Sequence, residues 1–142
     1  MPGFHFHETM QGTYTRDGVE RPMKFSLEAR ADSWLQHLRD RKAHINGTID
    51  AEGLASARAI DGELTIDPLI RRLIRYEFSF TGDDGKAYRF AGQKDVSILD
   101  LANSMTTLPA EIFDGDKAIA NALLKFDKKD LPSFLASWRL DL

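Results

Sequence analysis

Two charged residues occupy positions where the pattern of the chain calls for apolar ones. In the run from Phe4 to Tyr14, Phe4, Phe6, Met10 and Tyr14 alternate with His5, His7, Thr9, Gln11 and Thr13, and Glu8 falls on the apolar side. Successive side chains of a strand point to opposite faces, so Glu8 points inward with the aromatics. Lys94 has the matching position, in register with Phe90 and Val96 on the inner face of another alternating run. A carboxylate taken out of water must be hydrogen-bonded, paired or protonated, and such groups gather at functional sites. An inward Glu8 and an inward Lys94 form a structural ion pair or line the polar end of a ligand cavity. A bulge at Gly12 or Gly92 would turn either one out to solvent, because a slip of one residue reverses the faces.

Other chemistry-bearing residues fall into weaker patterns. His5 and His7 share a strand face, as two ligands of one metal would, but beside Thr9 and Gln11 the commoner role is a solvated polar face, and no metal site is expected. His37 and His44 belong to no motif. Ser104, Thr106 and Thr107 lie together where small hydroxyls more often stabilise turns than attack carbonyls. There is no Gly-x-Ser-x-Gly, no Ser-x-x-Lys, no Gly-x-Gly-x-x-Gly and no phosphate loop. With no Cys there is no thiolate nucleophile, disulfide or iron–sulfur site, and no cofactor is expected. Gly12, Gly47, Gly62 and Gly92 sit inside alternating runs, which points to strand geometry rather than nucleotide binding.

The elements that would position these residues are mostly strands. The turn Arg16-Asp17-Gly18 joins the first run to a second, in which Met23, Phe25, Leu27, Ala29 and Ala31 alternate with polar residues. Asp32 and Ser33 then cap a helix of two to three turns, with a Ser-x-x-Gln capping box and Trp34, Leu35 and Leu38 on one face. Alternation resumes at Ala43, Ile45, Gly47 and Ile49, and again at Ile60, Gly62, Leu64 and Ile66, where Pro68 stops it. The clearest hairpin joins Ile74, Tyr76, Phe78 and Phe80 to Tyr88, Phe90, Gly92, Lys94 and Val96 across Gly82-Asp83-Asp84-Gly85-Lys86. Between residues 97 and 117, Ile98, Leu99 and Leu101 fit a helical turn or a loop, and Met105 to Phe113 fits a strand with Pro109 at an edge. The tail adds a strand from Ala118 to Phe126, a cap at Asp130, a short helix around Leu131, Phe134 and Leu135, and the segment Trp138 to Leu142. The plan of strand, aspartate and short aromatic helix occurs at 23–38 and again at 119–135.

This succession predicts a mainly β fold within one domain spanning 1–142. It is a single antiparallel β-barrel of the calycin-like kind, or a sandwich, with eight or nine strands and two short helices. The barrel is preferred because a long coiled meander removes its own edges. The 142 residues suffice to bury one core, and nine Phe, three Tyr and two Trp among 42% hydrophobic residues exclude wholesale disorder. A formal net charge of -3 leaves no basic footprint for nucleic acid. No apolar run approaches the roughly 18 residues of a membrane helix, and MPGFHFHE does not open like a signal peptide, so a cytoplasmic location is expected.

Several segments together resemble a family of small β-rich domains found beside, or fused to, cholesterol-oxidase-like flavin oxidoreductases of the glucose-methanol-choline type. They are Phe6-His7-Glu8-Thr9-Met10-Gln11-Gly12, Gly47-Thr48-Ile49-Asp50, the stretch from Tyr88 to Val96, Thr106-Thr107-Leu108, and Asp130 to Trp138. The resemblance implies an accessory or binding role near sterol or lipid oxidation, with an oxidoreductase partner on a separate chain. It transfers no catalytic residue.

The functional expectation is a binding or accessory module for an apolar, lipid-like or sterol-like small molecule. The candidate ligand-binding residues are Glu8, Tyr14, Tyr76, Phe78, Tyr88, Phe90 and Lys94, since an eight-stranded barrel is about wide enough for one small guest. The alternatives are a cofactor-free isomerase, cyclase or lyase with Glu8 as general base, and a homo-oligomer whose apolar faces pack between subunits.

Overall fold

Alternation carries directly into the sheet. The computed structural model describes residues 3–67, 70–97, 99–137 and 139–141. Among them run nine strands: β1 (Gly3–Arg16), β2 (Val19–Ala31), β3 (Lys42–Ala51), β4 (Ala55–Asp67), β5 (Leu73–Thr81), β6 (Ala87–Asp95), β7 (Thr107–Asp114), β8 (Lys117–Lys125) and β9 (Arg139–Asp141). Each of the first seven pairs antiparallel with the next, and β8 returns to β1 through Gln11↔Lys125 to Thr15↔Asn121, which closes an eight-stranded antiparallel barrel. Closure removes the sheet edges that would otherwise invite pairing with other chains. The short β9 continues the wall along the start of β1, pairing Gly3 to His5.

Local chemistry sets the turns. Asp17 and Gly18 both adopt positive φ, at 52° and 79°, as a two-residue hairpin turn of the primed type requires. Within the wall, backbones approach so closely at Gly62 that a Cβ there would stand 2.0 Å from the Glu77 carbonyl oxygen. That close approach explains a glycine in the middle of an otherwise apolar face.

The two ends of the barrel differ. Tight turns close one end, at residues 17–18, 52–54, 82–86 and 115–116, while the opposite end carries the longer connections. These hold three short helices among the described residues: α1 (Trp34–Asp40), α2 (Leu101–Thr106) and α3 (Leu131–Ser137). The inward set fills the lumen, with Met10, Phe25, Ile45, Ile49, Phe90, Leu108, Ile112 and Leu124 wholly buried. Phe25, Phe78 and Phe90 form its central plug: Phe78 and Phe90 stack at 4.5 Å, and Phe25 meets both edge-on at 5.4 and 5.5 Å.

Three local expectations change. The helix α1 begins as expected, with Ser33 accepting from the Gln36 backbone N–H at 3.3 Å, but the Gln36 side chain donates to Asp40 instead of completing the capping box. Leu35 and Leu38 are exposed, at 64% and 55%, and His37 is the residue turned into the barrel. Its ring lies edge-on to Phe4 at 5.0 Å and its Nδ1 is 3.0 Å from the Lys42 carbonyl oxygen. A two-turn helix touches the barrel along a narrow line, and an imidazole with a carbonyl partner can occupy it. Met105 and Thr106 end a third helix, so β7 starts at Thr107. Pro109 is not on a sheet edge: it pairs with Leu123 and lies just past the last β6 partner of β7, Gly92↔Ala110, so its missing N–H interrupts no bond to β6. Pro68, Ile98, Trp138 and Leu142 lie outside the described residues.

Candidate functional site

The helical end of the barrel contains a cavity of about 390 Å³. Its walls are the ends of β1, β4, β5 and β6, through Phe6, Glu8, Leu64, Ile66, Ile74, Tyr76 and Lys94. Its cover is Met105 and Thr106 of α2, Phe126 after β8, and Leu131 of α3. The cover is tied down by the Phe126 backbone N–H, which donates to the Thr106 carbonyl at 2.8 Å, and by Ser104, whose hydroxyl accepts from the Ser97 N–H at 3.0 Å. Ser104 is thus a residue of α2, not of a loop, and its hydroxyl ties that helix back to the chain leaving β6.

Strand register delivers the polar wall. Glu8 and Lys94 are both inward and buried, at 8% and 3% exposure, and no bulge at Gly12 or Gly92 reverses them. They stand on non-adjacent strands and meet across the lumen, with Lys94 Nζ 3.6 Å from Glu8 Oε2. Tyr76 joins them: its hydroxyl donates to Glu8 Oε1 and accepts from Lys94 Nζ at 2.9 Å. Burial first, then the charge and hydrogen bond of Glu8, hold the Tyr76 phenol well above its usual range, so it remains a protonated donor. The wall is thus a carboxylate, a hydroxyl and an ammonium held in a triangle at one side of an apolar chamber, which is an arrangement able to orient the polar end of a guest.

Of the seven residues singled out from the sequence, Glu8, Tyr76 and Lys94 come together here. Phe78 and Phe90 belong to the central plug and do not line the cavity. Tyr14 and Tyr88 stand at the opposite end, where Tyr14 donates to the Glu52 carbonyl and Tyr88 to Asp84. Met105, Thr106, Phe126 and Leu131 were not among the seven. A signal for them was present in strand parity: in an up-and-down meander, the start of each odd strand and the end of each even strand share one end. Glu8 near the start of β1, Lys94 near the end of β6, and the segments around 105 and 126 therefore lie together.

The histidines lie elsewhere. His7 Nε2 is 3.3 Å from Glu28 and His44 Nε2 is 2.9 Å from Asp61, both on the outer face. Among the described residues no three His, Asp or Glu side chains gather as a metal would need.

All three tyrosines are held above the usual phenol value, Tyr14 chiefly by burial and Tyr88 chiefly by its hydrogen bond to Asp84. A raised folded value favours the neutral form, so this stabilisation is complete below the unfolded tyrosine value of about 10 and is lost as pH rises through the folded values. An alkaline absorbance titration is expected to show no tyrosinate near pH 10 while circular dichroism stays native, with ionisation arriving together with unfolding. A full tyrosine equivalent ionising near that pH in the folded protein would contradict the buried placement.

Compared with protein-family models, with curated proteins and with solved structures, the chain finds no match in any of the three.

Proposed function

We propose that this protein is a binding module that holds an apolar small molecule in the cavity at the helical end of its barrel, with the guest's polar end against Glu8, Tyr76 and Lys94. The observation that carries the reading is the composition of the chamber. It is lined chiefly by Phe6, Leu64, Ile66, Ile74, Met105, Phe126 and Leu131, and a hydrogen-bonded ionic group is set into one wall. A protein that needed only stability would gain as much from apolar residues of similar volume there, because desolvating an ion pair offsets most of its attraction. The volume of about 390 Å³ lies at the low end of the roughly 300–1,000 Å³ typical of small-molecule sites, which favours a guest of modest size.

The test is a titration with N-phenylnaphthylamine, a neutral apolar dye that brightens when it leaves water, on the wild type and on Ile74→Trp. Ile74 lines the chamber, and the larger indole would occupy its space. The expected result is saturable binding to the wild type and at least tenfold weaker binding to the variant. A wild type that leaves the dye dark, or a variant that binds it equally well, would remove the cavity as the site.

A further inference from the structure

The polar wall also specifies which kind of head group suits it. An ammonium has three N–H donors, and among the described residues the one hydrogen-bond partner of Lys94 Nζ is the Tyr76 hydroxyl; its contact with Glu8 Oε2, at 3.6 Å, is longer than a hydrogen bond. Glu8 is in the same position. Its Oε1 accepts from Tyr76, whereas its Oε2 accepts no hydrogen bond among the described residues. Among the described residues no fully enclosed side-chain nitrogen or oxygen lacks a hydrogen-bond partner, so Oε2 keeps some accessible surface, and Glu8 and Lys94 both line the chamber. A donor and an acceptor therefore stand side by side, each with capacity to spare, at 3% and 8% exposure.

Their charges cancel. The carboxylate and the ammonium leave the wall with no net charge, so an ionised head entering the chamber would lose its water without finding a surplus counter-charge. A hydroxyl fits better because it gives its proton to one partner and accepts from the other. Tyr76 does not compete for either free position, because its hydroxyl already gives its proton to Glu8 Oε1 and accepts from Lys94.

Resting on the reading of the cavity as a binding site, we propose that its guests are neutral apolar alcohols, whose hydroxyl donates to Glu8 Oε2 and accepts from Lys94 Nζ, and that fatty carboxylates and alkylamines are discriminated against.

Three probes of equal chain length separate the outcomes: octanol, octanoate and octylamine, titrated at neutral pH into the wild type and followed by amide chemical shifts. Octanol is expected to bind at least tenfold more tightly than either ion, with its largest shifts at residues flanking Glu8 and Lys94. Glu8→Gln leaves the ammonium uncompensated and is expected to move the preference toward octanoate. The double change Glu8→Gln with Lys94→Met restores a neutral wall and should restore discrimination against both ions, which covers the case in which a single variant does not fold. Equal binding of all three probes to the wild type, or tighter binding of octanoate, would overturn the alcohol assignment while leaving the cavity reading standing. If none of the three binds, the cavity reading fails as well.

Discussion

Lys94→Met is expected to cost about 3–5 kcal/mol of folding stability, the range seen when one member of a buried ion pair is removed. The reason lies in what remains. Glu8, 8% exposed, would keep one hydrogen bond from Tyr76 and lose the ammonium 3.6 Å from its other oxygen. An uncompensated carboxylate beside Phe6, Leu64 and Ile74 has little water and no counter-charge. Adding Glu8→Gln to Lys94→Met is expected to recover most of the loss, because the amide oxygen can still accept from Tyr76 and no charge is left behind. Urea unfolding of the wild type, both single variants and the double variant forms a closed cycle that isolates the coupling between the two residues. Additive losses across that cycle would mean that Glu8 and Lys94 do not form a pair in the folded protein.

Phe90→Ala is expected to cost about 3–5 kcal/mol as well, through lost burial and the void left behind. Phe90 is fully buried, stacks on Phe78 at 4.5 Å and meets Phe25 edge-on at 5.5 Å. Phe25 in turn lies 6.0 Å from the ring of Tyr76, which lines the cavity. The plug therefore lies one layer behind Tyr76, and removing one ring leaves a void in the middle of the barrel toward which the chamber can extend. A second effect follows from that position: the variant should accept longer apolar guests than the wild type does. Equilibrium unfolding measures the first effect, and dye displacement by straight-chain alcohols of increasing length measures the second. A loss below about 1 kcal/mol would mean that the ring contacts are too loose to form a packed plug, since full truncation of a packed aromatic does not come so cheaply.

Much of the architecture was legible in the residues. Period-two alternation is a local property, and here each inward set, such as Phe4, Phe6, Glu8, Met10 and Tyr14, is the set that fills the lumen. The hairpin turns were equally plain, because Asp17-Gly18 can adopt positive φ where most residues cannot. For Glu8 and Lys94 alternation left two outcomes open, inward or turned out by a bulge at Gly12 or Gly92, and the unbroken register of β1 with β2 and of β6 with β5 is what places both inward.

What alternation does not contain is which inward residues meet. Glu8 on β1 has β2, β8 and β9 as neighbours, and Lys94 on β6 has β5 and β7, so their contact runs through the lumen and not through any ladder. Such a contact exists only once strand number and stagger have set the width of the barrel and the heights of residues on facing walls. The same holds for Tyr14 and Tyr88, which belong to the right face but the wrong end. The helices were the least legible part. In α1 the apolar Leu35 and Leu38 face solvent and His37 packs inward, because the face of a two-turn helix is chosen by where its flanking strands anchor it and by one available carbonyl, not by its own hydrophobic stripe. Composition and alternation decided that the chain is a mainly β domain filled with aromatics, with two charged residues at positions that call for apolar ones. Tertiary closure decided that those charges share one chamber with Tyr76, because distances across a lumen are a property of the whole ring of strands.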